Sequence, residues 1–358
     1  MKLAVEATQL TQAPALRDKK ARTIAHLRAA DGMLSIATCD GNTTIKTVLP
    51  AQIAEPGEVA VSADALGKLV AGFGAADITM TANANVVTIA SGAGRYRLPI
   101  ADAPAVLAIN SSASEITISA ADLLRLFEPV SAAESDAAMR FYLCGLFLHV
   151  ADGQFCGVAT DGVTLLKTSV AADASFPPTI VPTGAVATMS RLVRMRKPAR
   201  VTLRRSGTLL EVVAPAFTFA TRTIAATYPD YAKILPKTTA TAATCSRSAL
   251  SAALQRLAAA AMASPLVGMT WIPGNPLHLT LLRQPDTGTD AIAAETQGQA
   301  QIALALPAFA SLVDEFDGDT IRIEVDGERA ITIRAGSKFG VLTGCNWHFI
   351  REDAALTA

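Results

Sequence analysis

Six times along the chain, an alternating run of apolar and polar residues gives way to apolar positions three or four apart. The first pattern has the period of a half-buried strand and the second that of an amphipathic helix. The first occurrence is Leu3 to Glu6 followed by Leu10, with a basic exit at Arg17, Lys19 and Lys20. The second is Glu58-Val59-Ala60-Val61-Ser62, then Leu66, Leu69 and Val70; the third is Glu115 to Ser119, then Leu123, Leu126 and Phe127. Thr179-Ile180-Val181 leads into Val186, Met189, Leu192 and Val193, and Ala243 to Ser246 leads into Leu250, Leu254 and Leu257. The last is Gln301-Ile302-Ala303, then Phe309, Leu312, Val313 and Phe316. The helices recur about every 60 residues, the signature of an internal repeat. Further strand signals follow each helix, split by a turn in the same slot. Asp31-Gly32, Asp152-Gly153 and Asp326-Gly327 fill it in three units; Asn83 to Asn85, Ser206-Gly207 and Pro273-Gly274-Asn275-Pro276 fill it in the others. Asp-Gly and Ser-Gly supply the positive φ that tight hairpins need.

The repeating unit is therefore strand, helix, then an antiparallel run, and the fold class is α+β. One such unit has a single helix and a sheet with one greasy face, which it cannot bury alone. Two units side by side can, and they predict domains of about 120 residues. Three tandem domains follow, at 1–112, 113–240 and 241–358. Their boundaries fall in the polar, aperiodic segments near Asn110-Ser111-Ser112 and Thr238-Thr239-Ala240-Thr241.

Composition narrows the class. The 358 residues are 51% hydrophobic and 17% charged, with 31 Lys+Arg against 31 Asp+Glu. Balanced charge excludes bulk attraction to nucleic acid and leaves room for a local basic face. No apolar stretch is long enough to span a bilayer, and the start, Met1-Lys2-Leu3-Ala4-Val5-Glu6, lacks the pattern of a secretory leader; the expected location is cytoplasmic. Five scattered cysteines (Cys39, Cys144, Cys156, Cys245, Cys345) form no zinc-site spacing and read as reduced thiols. Of the four histidines, His26, His149 and His278 sit inside strand patterns, with His348 apart from them. Phosphate-loop, nucleophile-elbow and zinc-protease motifs are missing. Gly92-Ala93-Gly94 opens no helix and reads as a hairpin turn. No catalytic residue, metal ligand or cofactor is expected, so the chain reads as a non-enzyme. An interdomain cleft using Asp161 or Asp230 is the enzymatic alternative, without a base or nucleophile beside it in the pattern.

Two segments are more distinctive. Arg140-Phe141-Tyr142-Leu143-Cys144-Gly145-Leu146 runs on to Val158-Ala159-Thr160-Asp161-Gly162, and Tyr228-Pro229-Asp230-Tyr231-Ala232-Lys233-Ile234-Leu235-Pro236 comes later. In this order they resemble the bacterial DNA polymerase III β subunit, the sliding clamp. Met1-Lys2-Leu3, Ala30 to Ser35 and Ile180-Val181-Pro182 fit the same family. The resemblance implies three clamp domains per chain forming half of a dimeric ring, helices inside and sheets outside. It also implies a homodimer that encircles duplex DNA without reading sequence and tethers a replicative polymerase as a processivity factor. A separate clamp loader would place the nucleoid-associated ring on DNA. A weak, sequence-blind attraction to phosphates suffices for sliding.

Under this reading the DNA-facing cations are Arg17, Lys19, Lys20, Arg22, Lys68, Arg125, Arg191, Arg194, Arg196, Lys197, Arg247 and Arg256, with Arg140 and Tyr142 matching a family position that touches DNA. The sixth helix departs from the pattern, offering Asp314 and Glu315 and no Lys or Arg. The family's partner-peptide pocket maps onto Leu143, Thr160, Gly162, Val163, Thr164, Leu165, Pro229, Lys233, Ile234 and Leu342. Dimer contacts map onto Tyr96 and Leu98 of an edge strand and onto Ala261 and Met262. Two departures stand out: the family's His-Arg after Asp-Gly is Val163-Thr164, and its Met-Pro-Met-Arg-Leu ending is Thr343-Gly344-Cys345-Asn346-Trp347 with a tail to Ala358. They leave open a clamp-like paralogue acting as scaffold or decoy without polymerase tethering.

Overall fold

The computed structural model describes residues 1–13, 15, 24–109, 113–133, 139–172, 175–235, 240–261, 265–282, 288–327 and 329–345. Six α-helices occur among them: α1 (Ala7–Gln12), α2 (Ala63–Ala71), α3 (Ala120–Phe127), α4 (Thr183–Arg196), α5 (Arg247–Ala260) and α6 (Leu306–Asp314). Each buries the apolar positions that the three- and four-residue spacing singled out, including Leu10, Leu66, Leu123, Met189, Leu254 and Phe309. Polar residues at the strand ends start several of them. Ser62 Oγ accepts from the Ala65 N–H of α2 at 3.3 Å, Ser119 Oγ from the Asp122 N–H of α3 at 3.0 Å, and Ser246 Oγ from the Ala249 N–H of α5 at 3.3 Å. Each bond satisfies an amide that has no partner within the helix.

The helices lie side by side in consecutive pairs, α1 with α2, α3 with α4 and α5 with α6, the two-module rhythm that the repeat predicts. The hairpin slots also hold. Asp31 and Gly32 take φ 51 and 74, and Asp152 and Gly153 take φ 51 and 71, the doubly left-handed turn whose twist matches paired strands.

The chain forms two compact units, Met1–Phe127 with Asp173–Ala225, and Glu128–Ala172 with Ala226–Ala358. In the first, a five-stranded antiparallel sheet runs in the order Gln52–Glu55, Lys2–Glu6, Asp77–Ala82, Val86–Ser91, Gly94–Pro99. An eight-stranded sheet runs Ser114–Ser119, Arg200–Ser206, Leu209–Ala214, Phe217–Arg222, Thr43–Pro50, Met33–Cys39, Ile24–Ala30, Gly57–Ser62. Pairing of Thr43–Pro50 with Phe217–Arg222 joins strands from both sides of the predicted boundary near residue 112. In the second unit the larger sheet carries Gly145–Ala151, Gln154–Thr160, Thr164–Ala171, Lys338–Thr343, Ala330–Ala335, Thr320–Asp326, Ala242–Ser246 and Ala294–Gln297 in that order. A four-stranded sheet runs Thr289–Ile292, Leu277–Leu281, Leu266–Trp271, Ala300–Ala305. Leu250, Leu254, Phe309, Val313, Phe316 and Ile323 lie in one core of that unit, where α5 and α6 bury their apolar stripes. His26, His149 and His278 occupy strands, as expected; His348 lies outside the described residues.

Candidate functional site

Cations concentrate on α4. Its 3.6-residue period buries Val186, Met189, Leu192 and Val193 and leaves Arg191 and Arg194 exposed on the opposite face. The helix stops because Pro198 cannot continue it. Lys197 turns into the left-handed region at φ 45, ψ 50, and its N–H bonds to the Val193 carbonyl at 2.7 Å. Arg194, Arg196 and Lys197 thus crowd the negative end of the helix dipole, which stabilises them there.

The other predicted cations sort by partner. Lys68 pairs with Asp64 at 2.7 Å, Arg125 with Asp122 at 3.0 Å and Arg256 with Asp290 at 2.7 Å. Arg247 Nε donates to the Gly318 carbonyl at 3.0 Å, and Arg196 Nη2 donates to the Gln12 carbonyl. Arg194 and Lys197 are exposed and face no carboxylate among the described residues. Arg17, Lys19, Lys20 and Arg22 lie outside the described residues. On α6, Asp314 accepts from Ser251 Oγ at 2.8 Å.

In the second unit, the Asp161-Gly162 turn is pinned from several sides. Asp161 Oδ1 accepts the Val163 and Thr164 N–H groups at 2.8 and 2.7 Å, the Thr160 hydroxyl donates to the Thr164 carbonyl at 2.6 Å, and Arg140 Nη1 donates to the Asp161 carbonyl at 3.0 Å. Gly162 has φ +93, and a Cβ there would come within 2.8 Å of Arg140 Nη1. The positive φ favours glycine, and a side chain there would also displace the Arg140 guanidinium, which the Asp161 carbonyl holds against this turn beside Tyr142. Strand Lys338–Thr343 runs alongside, with Leu342 opposite Thr164 and the Thr343 N–H donating to the Val163 carbonyl at 3.0 Å. Leu143, Thr160, Leu165 and Leu342 are buried; Gly162, Val163, Pro229 and Lys233 are exposed. Lys233 pairs with Asp230 at 3.1 Å, and the Ile234 side chain lies outside the described set. Both candidate catalytic carboxylates, Asp161 and Asp230, are thus engaged in local structure.

An aromatic cluster that the sequence reading missed holds the segment carrying Pro229. Tyr228 stacks on Phe147 with ring centroids 4.6 Å apart and planes 4° from parallel, and Phe147 stacks on His149 at 4.7 Å. His149 Nε2 and Tyr231 Oη share a hydrogen bond of 2.9 Å. Burial, aided by the Lys167 charge, lowers the imidazole pKa of His149, and burial above all pushes the Tyr231 phenol up to about 12. The signal was Phe147-x-His149 on one strand face together with two tyrosines flanking Pro229-Asp230.

This cluster predicts an acid-sensitive segment. The unfolded imidazole takes up a proton as pH falls through about 6.5, whereas native His149 resists until lower pH. Acid therefore favours the unfolded chain, and this part of the stability is lost as pH drops below about 6.5. His149→Phe keeps the stack and removes the Tyr231 bond. Thermal unfolding should show a loss of about 1 kcal/mol at neutral pH and a smaller drop in Tm between about pH 7.5 and 5.5 than in the parent.

In the first unit, strand Gly94–Pro99 ends the five-stranded sheet with one edge unpaired by any strand of that sheet. Tyr96, 45% exposed, meets Phe73 edge-on at 5.5 Å, and Leu98 is half-buried. An exposed edge bearing large apolar side chains invites a partner strand. Ala261 caps the end of α5 in the second unit, and Met262 lies outside the described residues. Among the described residues there is no group of three or more His, Cys, Asp or Glu placed to hold a metal, and no helix long and apolar enough to cross a membrane.

No family model matches the sequence. The Beta sliding clamp of Salmonella typhimurium is 29% identical over 219 residues, 59% of each chain, and that of Caulobacter vibrioides is 27% identical over 245 residues, 65% of each. The chain thus spans about 59% of the length of the first of these relatives and 65% of the second. The crystal structure of the DNA polymerase III subunit beta from Pseudomonas aeruginosa matches with a TM-score of 0.87 at 19% identity, over 97% of this chain and 100% of that one. A DNA polymerase sliding clamp from Caulobacter crescentus matches at 0.84 and 23% identity, over 97% of this chain and 100% of that one. With its repeated strand-helix-sheet modules and paired helices, this chain has the sliding-clamp fold. In sequence it is similar, at 29% identity or less, to the bacterial Beta sliding clamps.

Proposed function

We propose that the chain is a DNA sliding clamp, a non-catalytic processivity factor acting without a cofactor in the cytoplasm, at the nucleoid. Its six modules form three domains, 1–112, 113–240 and 241–358. Two copies close a ring around duplex DNA, the edge strand with Tyr96 and Leu98 meeting the Ala261-Met262 region of the partner. The observation that carries this reading is the six-module repeat with its helices paired two by two, which matches known clamps over 97% of the chain. A closed ring keeps its hold by topology, so its contacts with phosphate need only be weak and blind to sequence. Exposed Arg191, Arg194 and Lys197 suit that task, and the acidic end of α6 relieves it locally. A clamp loader opens the ring. A replicative polymerase is tethered through an apolar peptide seated near Leu143, Leu165, Pro229, Ile234 and Leu342.

The test is retention on DNA. Protein loaded on nicked circular DNA should survive a high-salt wash and should be shed once the circle is cut by a restriction enzyme. Equal loss from circular and linear DNA would reject encirclement.

A further inference from the structure

We propose, building on the client-pocket reading above, that the cavity next to that pocket recognises carboxylates. The clients of this chain would then carry glutamate or aspartate beside their apolar anchor. The cavity, of about 590 Å³, lies within the second unit; its lining includes Gln154, Lys167, Ser169, Arg334 and Phe339, with no carboxylate among the described residues. Lys167, Phe339 and Arg334 are register partners on three adjacent strands, so their side chains stand in one row across one sheet face. Leu165 precedes Lys167 by two residues. It therefore shares that face, about 7 Å along the strand. Leu235, on the segment that carries Pro229 and Lys233, forms another wall. The flank of a peptide anchored against Leu165 and Pro229 would then lie toward the cavity.

The charges there are arranged for an anion. Among the described residues Lys167 has no carboxylate within ion-pair distance; its ammonium lies 5.8 Å from the Tyr231 ring centroid, with the charges of Asp152 and Asp230 also acting on that ring. Arg334 stacks on Phe339 at 4.4 Å, with its Nε 3.4 Å from Glu324, a buried carboxylate that Arg322 also holds at 3.2 Å. Two guanidinium groups on one carboxylate leave net positive charge on this face. Lys338 also borders the cavity, but its ammonium is committed to Glu128 at 2.6 Å. The guanidinium that the family resemblance places at position 164 is replaced by threonine here, and a cation stands three residues further on, at Lys167. Three residues apart on one strand, the two positions lie on opposite faces of the sheet, so Lys167 offers a client's polar flank a different cation, which favours acidic sequences by charge complementarity.

Fluorescence anisotropy on the full-length chain would test this with two peptides sharing a Leu-Phe anchor, one flanked on both sides by Glu-Glu and the other by Gln-Gln. The acidic peptide should bind about fivefold tighter at low salt, and the advantage should fade at high salt. Lys167→Glu should reverse the preference while leaving the Gln-flanked peptide within about twofold of its parent affinity, which shows an intact pocket; Lys167→Gln should fall between. Equal binding of both peptides to the parent, or an unchanged preference in Lys167→Glu, would overturn the carboxylate site and leave the client pocket standing. If neither peptide bound, both would fall.

Discussion

Replacing Arg204 with leucine is expected to cost about 3 kcal/mol of stability, a far larger effect than the loss of an ordinary surface arginine. Arg204 bridges two carboxylates of unequal exposure, with Nε 2.7 Å from Glu115, whose side chain is 51% exposed, and Nη1 3.0 Å from Glu211, only 5% exposed. The exposed half is screened by water and contributes little. The buried half matters because Glu211 would otherwise be an uncompensated charge in the protein interior. Glu211 also has a mechanical role, since its other oxygen accepts the Ile109 N–H at 2.7 Å. Together with Thr44 Oγ1, which accepts the Leu107 N–H at 2.9 Å, it straps the extended segment 104–109 over the face of the eight-stranded sheet. Arg204→Leu should lower Tm and speed amide exchange at Leu107 and Ile109 above exchange elsewhere in the unit. Adding Glu211→Leu should restore most of the global stability, because both charges then leave together. It should not restore protection at Ile109, whose acceptor is gone. A single variant that melts with the parent would show that Glu211 is solvated in solution.

The six helices were legible because each carries its own apolar stripe, a local property of ten or so residues. The turns at Asp31-Gly32 and Asp152-Gly153 were legible because two left-handed residues in succession demand that chemistry. What escaped was set by distance along the chain. Lys68 with Asp64 and Arg125 with Asp122 are four and three residues apart, so their pairing could have been read from helical spacing. Arg256 with Asp290 and Arg196 with the Gln12 carbonyl are 34 and 184 residues apart; no periodicity encodes such contacts. The His149–Tyr231 bond crosses 82 residues for the same reason. Pairing across the chain is equally invisible to local pattern: strands on either side of the polar segment near residue 112 join one sheet, as Thr43–Pro50 does with Phe217–Arg222.

On the proposed clamp reading, the end of α4 would set stability against DNA binding. Neutralising Arg194 and Lys197 together by glutamine should flatten the slope of log affinity against log salt for a short duplex by about 1.8, two phosphate contacts' worth. Between about 50 and 200 mM salt, the parent's affinity should therefore fall about tenfold more steeply than the variant's. Arg256→Gln is the control, since Arg256 is already neutralised by Asp290 and should leave the slope unchanged. Lys197 gives a second readout. It holds a left-handed backbone at φ 45, a conformation that costs a non-glycine residue about 1 kcal/mol. Lys197→Gly should relieve this strain and raise the melting temperature while still reducing the salt slope by about 0.9. A residue kept for the fold alone would not move stability and DNA binding in opposite directions. Strain retained beside a surface cation is instead what a binding function would preserve. If Lys197→Gly stabilised the chain and left the salt slope untouched, the end of α4 would be cleared of any role at the duplex.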